Sequence, residues 1–158
     1  MYKKIHFNKR SKLKKRLPVR VKEPLEAPLE PNKTWSLDFV CDKMESGRTF
    51  RVLNILDDSN REAVAQEISI SMSMPAERVI PILEKVIFIN GKPECIRTDN
   101  GPEFISEKMR IWCEANEIKH KFIRPGKPMQ NSYVERFNGS YRRAILDAYI
   151  FRILYENA

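Results

Sequence analysis

Thr34-Trp35-Ser36-Leu37-Asp38-Phe39-Val40 alternates with the two-residue period of a strand. That period puts Trp35, Leu37 and Phe39 on one face and Ser36 and Asp38 on the other. An acid therefore stands mid-strand, facing away from an apolar row. After a turn at Glu45-Ser46-Gly47, residues 49–56 (TFRVLNIL) read as a second strand. Asp57-Asp58-Ser59-Asn60 supplies another turn and 61–70 a third strand, giving an antiparallel meander.

Residues 75–90 carry Val79, Ile80, Leu83, Val86 and Ile87 at helical spacing, with Gly91 as a stop and Pro93 beyond. Pro81 conflicts with a helix starting at Pro75, since a proline past the first turn loses a hydrogen bond; a later start or a kink is expected. Residues 94–98 (ECIRT) form a short strand, with Asp99 just past its end and Asn100-Gly101-Pro102 as a turn. Phe104, Ile105, Met109, Trp112 and Ala115 then form the stripe of a helix over 103–115, and 118–123 (IKHKFI) is a last strand. Residues 124–128 (RPGKP) exclude regular structure. From about Met129 a long helix begins, with an apolar stripe of Val134, Phe137, Tyr141, Ile145 and Ala148 and a polar stripe of Asn131, Glu135, Asn138 and Arg142. The order β-β-β-α-β-α-β, without internal repeats, describes one α/β unit.

The 158 residues, 42% of them hydrophobic, suffice for a single core. The net charge of +8 is unevenly spread. Residues 1–22 hold ten Lys or Arg and no acid, leaving nineteen basic and twenty-one acidic residues, a net charge of −2, for 23–158. The arm reads as a solvated segment able to meet phosphates without sequence preference, or as a linker from a neighbouring domain. Pro24, Pro28 and Pro31 make the next stretch an extended linker, so the domains read as 1–32, arm and linker, and 33–158, the folded unit. No signal-peptide pattern or membrane-spanning run is present, and the expectation is a cytoplasmic protein. Cys41, Cys95 and Cys113 form no Cys-x-x-Cys pair and are expected to be buried or half-buried free thiols. The absence of a Gly-rich phosphate loop excludes nucleotide cofactors.

Three acids stand out. Asp99 and Glu135 are separated by thirty-five residues, and Asp38 lies upstream. Each has a plain reading: an exposed strand residue, an Asx-turn former and a solvated helix residue. Together, on adjacent strands and a later helix, they could hold two hard divalent ions on oxygen ligands, a standard means of driving in-line attack on a phosphodiester. Asp57 and Asp58 read as turn residues, and Asp42, at the strand exit, as solvent-exposed.

TWSLDFV, IRTDNGPEF and FIRPGKPMQNSYVERFNG, taken in order with that interval, resemble the catalytic core of bacterial insertion-sequence transposases of the retroviral-integrase type, made from two overlapping reading frames. The likeness runs from about Asn32 to Arg152. It implies a ribonuclease H-like fold, a five-stranded mixed sheet flanked by helices. It also implies Asp38, Asp99 and Glu135 as catalytic ligands of two Mg2+ ions, with Mn2+ as a substitute. The reaction implied is DNA-strand hydrolysis at an element end followed by transfer of the freed 3'-hydroxyl, without a covalent enzyme intermediate. Asn100, Arg124, Lys127, Asn131, Asn138 and Arg142 fall in matching segments as DNA-contacting or orienting residues. The partners implied are DNA, as element ends and target, and further copies of the chain assembled on it, in a nucleoid-associated setting.

Family members carry helix-turn-helix regions ahead of the core and a further helical segment behind it. Their absence here suggests a C-terminally truncated core, with Ile150, Phe151, Ile153 and Leu154 left exposed. The competing reading is a catalytically silent DNA-binding or assembly fragment. A stand-alone ribonuclease H-like nuclease fits the fold but not the DNGPEF and PGKPMQN runs.

Overall fold

The computed structural model describes residues 28–71, 73–123 and 132–151. Five strands, β1 (Thr34–Lys43), β2 (Thr49–Asp57), β3 (Ala63–Ser69), β4 (Cys95–Thr98) and β5 (Lys119–Phe122), form one sheet in the order β3-β2-β1-β4-β5. The meander β1-β2-β3 is antiparallel, whereas β4 and β5 run parallel to β1. Parallel neighbours need crossovers, and helices α1 (Ala76–Asn90) and α2 (Glu107–Ala115) supply them. This is the expected five-stranded mixed sheet flanked by helices, the ribonuclease H-like arrangement.

β1 is central, so both of its faces are covered. Trp35 and Leu37 are fully buried with Ile96, Val79, Leu83 and Met109 in the main core, and Phe39 packs at its margin. On the other face Val40, Met44, Phe50, Val52 and Leu146 form a second cluster, closed by Phe151, whose ring meets Phe50 edge-on at 5.2 Å. Phe151 is thus half-buried, contrary to expectation, while Ile150 is 74% exposed as expected. Ile153 and Leu154 lie outside the described residues.

α1 starts one residue after Pro75 and runs through Pro81. Pro81 is exposed, so the Glu77 carbonyl that its missing N–H cannot serve faces water, which lowers the cost of the interruption. The helix ends where Gly91, at φ 87°, donates its N–H to the Ile87 carbonyl. α2 begins only at Glu107: residues 102–106 form a turn on the Gly101 carbonyl, and Ser106 caps the helix by accepting from the Met109 N–H at 3.3 Å. Cys113 therefore faces the core instead of Ala115. Cys95 is buried too, but Cys41 is exposed, against expectation.

Helix α3 (Ser132–Tyr141) lies over β1 and β2 and continues into a single π-helical turn, Arg142–Leu146, closed by the Asp147 N–H on the Arg142 carbonyl. The wide turn shifts the helical phase by one residue. Leu146 is consequently buried, while Ile145 and Ala148, expected in the apolar stripe, face solvent. Ahead of the turn the buried residues of α3 are Val134 and Asn138.

Candidate active site

The face of β1 opposite Trp35 and Leu37 carries Ser36 and Asp38, as its two-residue period requires. β1 and β4 pair in parallel register through Thr34↔Cys95 and Ser36↔Arg97. Continued by two residues, that register brings Asp38, in β1, level with Asp99, the residue just past the end of β4, near enough for its charge to act on Asp38. The third acid arrives from above: Glu135, in the first turn of α3, lines with Asp38 an open cavity of about 400 Å³ that also includes Asn138 and Arg142.

Each acid is held differently. Asp38 Oδ1 accepts from the Phe39 N–H at 2.9 Å, and Oδ2 accepts from the Asn138 side-chain amide at 2.8 Å. Asp99 Oδ1 accepts from the Gly101 N–H at 2.9 Å, the Asx turn that its sequence suggests. Glu135 is exposed. Burial pushes the Asp38 carboxyl up to about 6, and the Asp99 and Glu135 charges push the same way, against the hydrogen bonds from Phe39 and Asn138.

Asp99 is not among the described residues lining the cavity, and among those residues no group of three or more His, Cys, Asp or Glu side chains is drawn up at metal-ligating spacing. The fit to a metal is therefore one of donor chemistry and charge. Three carboxylates are the hard oxygen donors that Mg2+ and Mn2+ prefer, and their mutual repulsion at Asp38 is of the kind that a divalent cation relieves.

The loop after Asp99 is fastened to the sheet. Glu103 forms an ion pair with Arg51 of β2, both side chains mostly buried. The Arg51 guanidinium lies 4.0 Å from the centre of the Phe39 ring, and Phe104 stacks on that ring at 5.3 Å. Asn100 donates its amide to the Ile123 carbonyl at 3.1 Å, tying the ends of β4 and β5. Arg142 donates to the Cys41 carbonyl at 2.6 Å and lies 3.9 Å from Asp42, which is half-buried instead of solvent-exposed. Arg124, Lys127 and Asn131 lie outside the described residues.

Asp57 does serve a turn, accepting from Ser59 and from the Asn32 N–H. Asp58 does more. It is fully buried, receiving Ser36 Oγ at 2.6 Å and the Arg97 guanidinium at 2.7 Å on the Asp38 face of the sheet. Sequence reasoning missed Asn54, which pairs directly with Asp38 across β1 and β2 and donates to Asn138 at 2.7 Å. The signal was present: strand parity places Asn54 on that face as the one polar residue beside Phe50, Val52 and Leu56 of TFRVLNIL.

The family model described as an integrase core domain matches residues 28–128, and a second integrase core domain model matches 116–157. An uncharacterized 39.2 kDa protein of insertion element IS476 from Xanthomonas euvesicatoria is 36% identical over 98% of this chain and 44% of its own length. An uncharacterized 31.7 kDa protein of insertion element IS407 from Burkholderia multivorans is 38% identical over 84% of this chain and 47% of its own. The chain thus spans less than half the length of either relative. The magnesium complex of the HTLV-2 integrase catalytic core domain, in its dimeric form, superposes with a TM-score of 0.58 at 27% identity, covering 77% of this chain and 74% of that one. A simian T-cell lymphotropic virus intasome chain shares the fold at a TM-score of 0.68 and 24% identity, covering 78% of this chain and 43% of that one.

Proposed function

The chain belongs to the integrase core domain family, and on that premise we propose that it is the catalytic core of an insertion-sequence transposase, cutting and joining DNA strands at Asp38, Asp99 and Glu135. One observation supports the reading: the charges of Asp99, just past the end of β4, and of Glu135, which lines an open cavity with Asp38, both act on Asp38 in the neighbouring strand. The three carboxylates would hold two Mg2+ ions, or Mn2+ in their place. Bound there, such ions lower the pKa of an attacking water or hydroxyl and neutralise charge on the leaving oxygen.

The chain's own residues do the rest. Asp38, fixed by Phe39 and Asn138, and Asp99, fixed by Gly101, set where a scissile phosphate can sit. Water attacks one phosphodiester, breaking its bond to the 3'-oxygen, which leaves as a 3'-hydroxyl after taking up a proton. That hydroxyl then attacks a second phosphodiester and loses its own proton, while the displaced 3'-oxygen takes one up. The exchange joins two strands with no net change in the number of phosphodiester bonds. Arg142 at the cavity wall, Arg124 and Lys127 in the sequence ahead of α3, and the ten basic residues of the arm would meet DNA phosphates. Asn100 and Asn131 would orient the neighbouring backbone. Assembly of several copies on DNA fits the family, and the absence of any membrane-crossing helix among the described residues fits work in the bacterial cytoplasm, at the nucleoid.

The test is strand cleavage and joining on labelled duplexes carrying the element's terminal inverted repeats, with Mg2+ or Mn2+. Wild type should nick and join, whereas Asp99→Asn and Glu135→Gln should do neither while still binding DNA. Wild type as inert as the variants, with DNA binding intact, would leave a silent binding fragment as the better description.

A further inference from the structure

Asp38, Asn54 and Gln66 form a row across three strands. Asp38 pairs with Asn54 between β1 and β2, and Asn54 pairs with Gln66 between β2 and β3. Over this row lies Asn138 of α3. The side chains are linked in one direction: Gln66 Nε2 donates to Asn54 Oδ1 at 3.1 Å, Asn54 Nδ2 to Asn138 Oδ1 at 2.7 Å, and Asn138 Nδ2 to Asp38 Oδ2 at 2.8 Å. Asn54 is fully buried and Asn138 is 9% exposed, with the apolar pair Val40 and Val52 in the adjoining row on one side.

We infer that Asn54, backed by Gln66, is a remote positioning device that fixes the orientation of the Asn138 amide and, through it, the Asp38 carboxylate and the height of Glu135. The reasoning is one of donors and acceptors. A carboxylate only accepts, so Asn138 must turn its NH2 group toward Asp38 and its carbonyl away. That carbonyl needs a donor, and Asn54 supplies one; the Asn54 carbonyl needs a donor in turn, and Gln66 supplies it. With Asn54 made apolar, the buried Asn138 carbonyl loses its donor, and the bond to Asp38 alone is left to hold the amide. The chain of amides is also a latch. Asn138 follows Glu135 by three residues, on the same turn of α3, so the bond that orients Asp38 also sets how far Glu135 stands above it. Asparagine is a poor strand-interior residue, and its burial in β2 answers to this geometry better than to core packing.

The inference rests on the proposed metal-dependent reaction, and two separate readouts on the full chain keep their failures apart. The first needs no metal: in a 15N-labelled chain the side-chain NH2 protons of Asn138 should exchange slowly with solvent, and Asn54→Leu, which frees the carbonyl end of the same amide, should speed that exchange. The second is the Mg2+ concentration giving half-maximal thermal stabilisation and half-maximal strand cleavage. Loss of a group that orients a metal-binding carboxylate typically raises such a value roughly 10- to 100-fold. Asn54→Leu and Asn138→Leu should each do so with a smaller loss of rate at saturating Mg2+, and the double variant should be no worse than Asn138→Leu. Gln66→Glu, on the exposed edge strand, cannot compromise the core and should shift the Mg2+ requirement in the same direction by a smaller factor. Additive effects of the two Leu substitutions, or an Asn138 amide indifferent to Asn54→Leu, would overturn the relay. A wild-type chain unresponsive to Mg2+ would defeat the proposed function, and the amide exchange would still decide the relay.

Discussion

Asn138 donates to Asp38 across one hundred residues of sequence, joining the helix that carries Glu135 to the strand at the centre of the sheet. With the bond from Asn54 to the same amide, it ties α3 to β1 and β2 at a fixed register, where apolar contacts such as Val134 set distance alone.

The same acid makes the metal-free site costly. Asp38 is raised from 3.8 to about 6, first by burial and then by Asp99 and Glu135, so the folded chain binds its proton more tightly than the unfolded chain. The cost is fully present above about 6 and disappears as pH falls through that value toward 3.8. Asp38→Asn should therefore stabilise the metal-free chain by about 2–3 kcal/mol near neutrality. The advantage should shrink on acidification, as read by urea unfolding in EDTA across that window. An advantage that grows in acid would contradict the assignment.

Gly101 sits between two carboxylates. A Cβ added there would meet Asp99 Oδ1 at 2.9 Å and Glu103 Oε2 at 3.0 Å. Gly101→Ala should displace Asp99 while leaving the core alone: strand cleavage drops at least about tenfold, equivalent to about 1.4 kcal/mol of transition-state stabilisation, with little change in the melting temperature.

The Arg51–Glu103 pair anchors the loop that follows Asp99. Removing one member of a mostly buried pair strands the other, so Arg51→Ala should cost about 3 kcal/mol in denaturant unfolding. Glu103→Gln, which keeps a hydrogen-bonding group in place, should cost clearly less. Equal and negligible losses would show the pair to be ornamental.

The π-turn makes a sharp distinction between neighbours. Leu146, 4% exposed, should cost about 2–4 kcal/mol when cut to Ala. Ile145, at 37% exposure, should cost under about 1 kcal/mol. A regular α-helical phase would reverse that order in the same unfolding measurement.

The strand pattern was legible because period-two alternation in β1 allows only one partition of its faces, and with it Asp38 was assigned to the face that α3 covers. The order of elements followed from turn residues. Helix ends were less legible. Phe104 and Ile105 continue the α2 stripe by spacing, yet they belong to a turn on Gly101, since the Ser106 cap decides where helical hydrogen bonding starts. The α3 stripe was read with a uniform phase, and a π-turn leaves no mark in hydrophobic periodicity. The Arg51–Glu103 pair and the amide relay join residues 52 and 84 positions apart, which local pattern does not reach. Asn54 was accessible in principle, because the meander register pairs it with Asp38.

The most direct measurement is anomalous scattering from Mn2+ in crystals of the chain bound to a duplex of its element end. The account predicts manganese density at a site bounded by Asp38, Asp99 and Glu135, lost in Asp99→Asn crystals grown alike. Manganese bound elsewhere, or no density between these carboxylates at a concentration that supports strand cleavage, would contradict it.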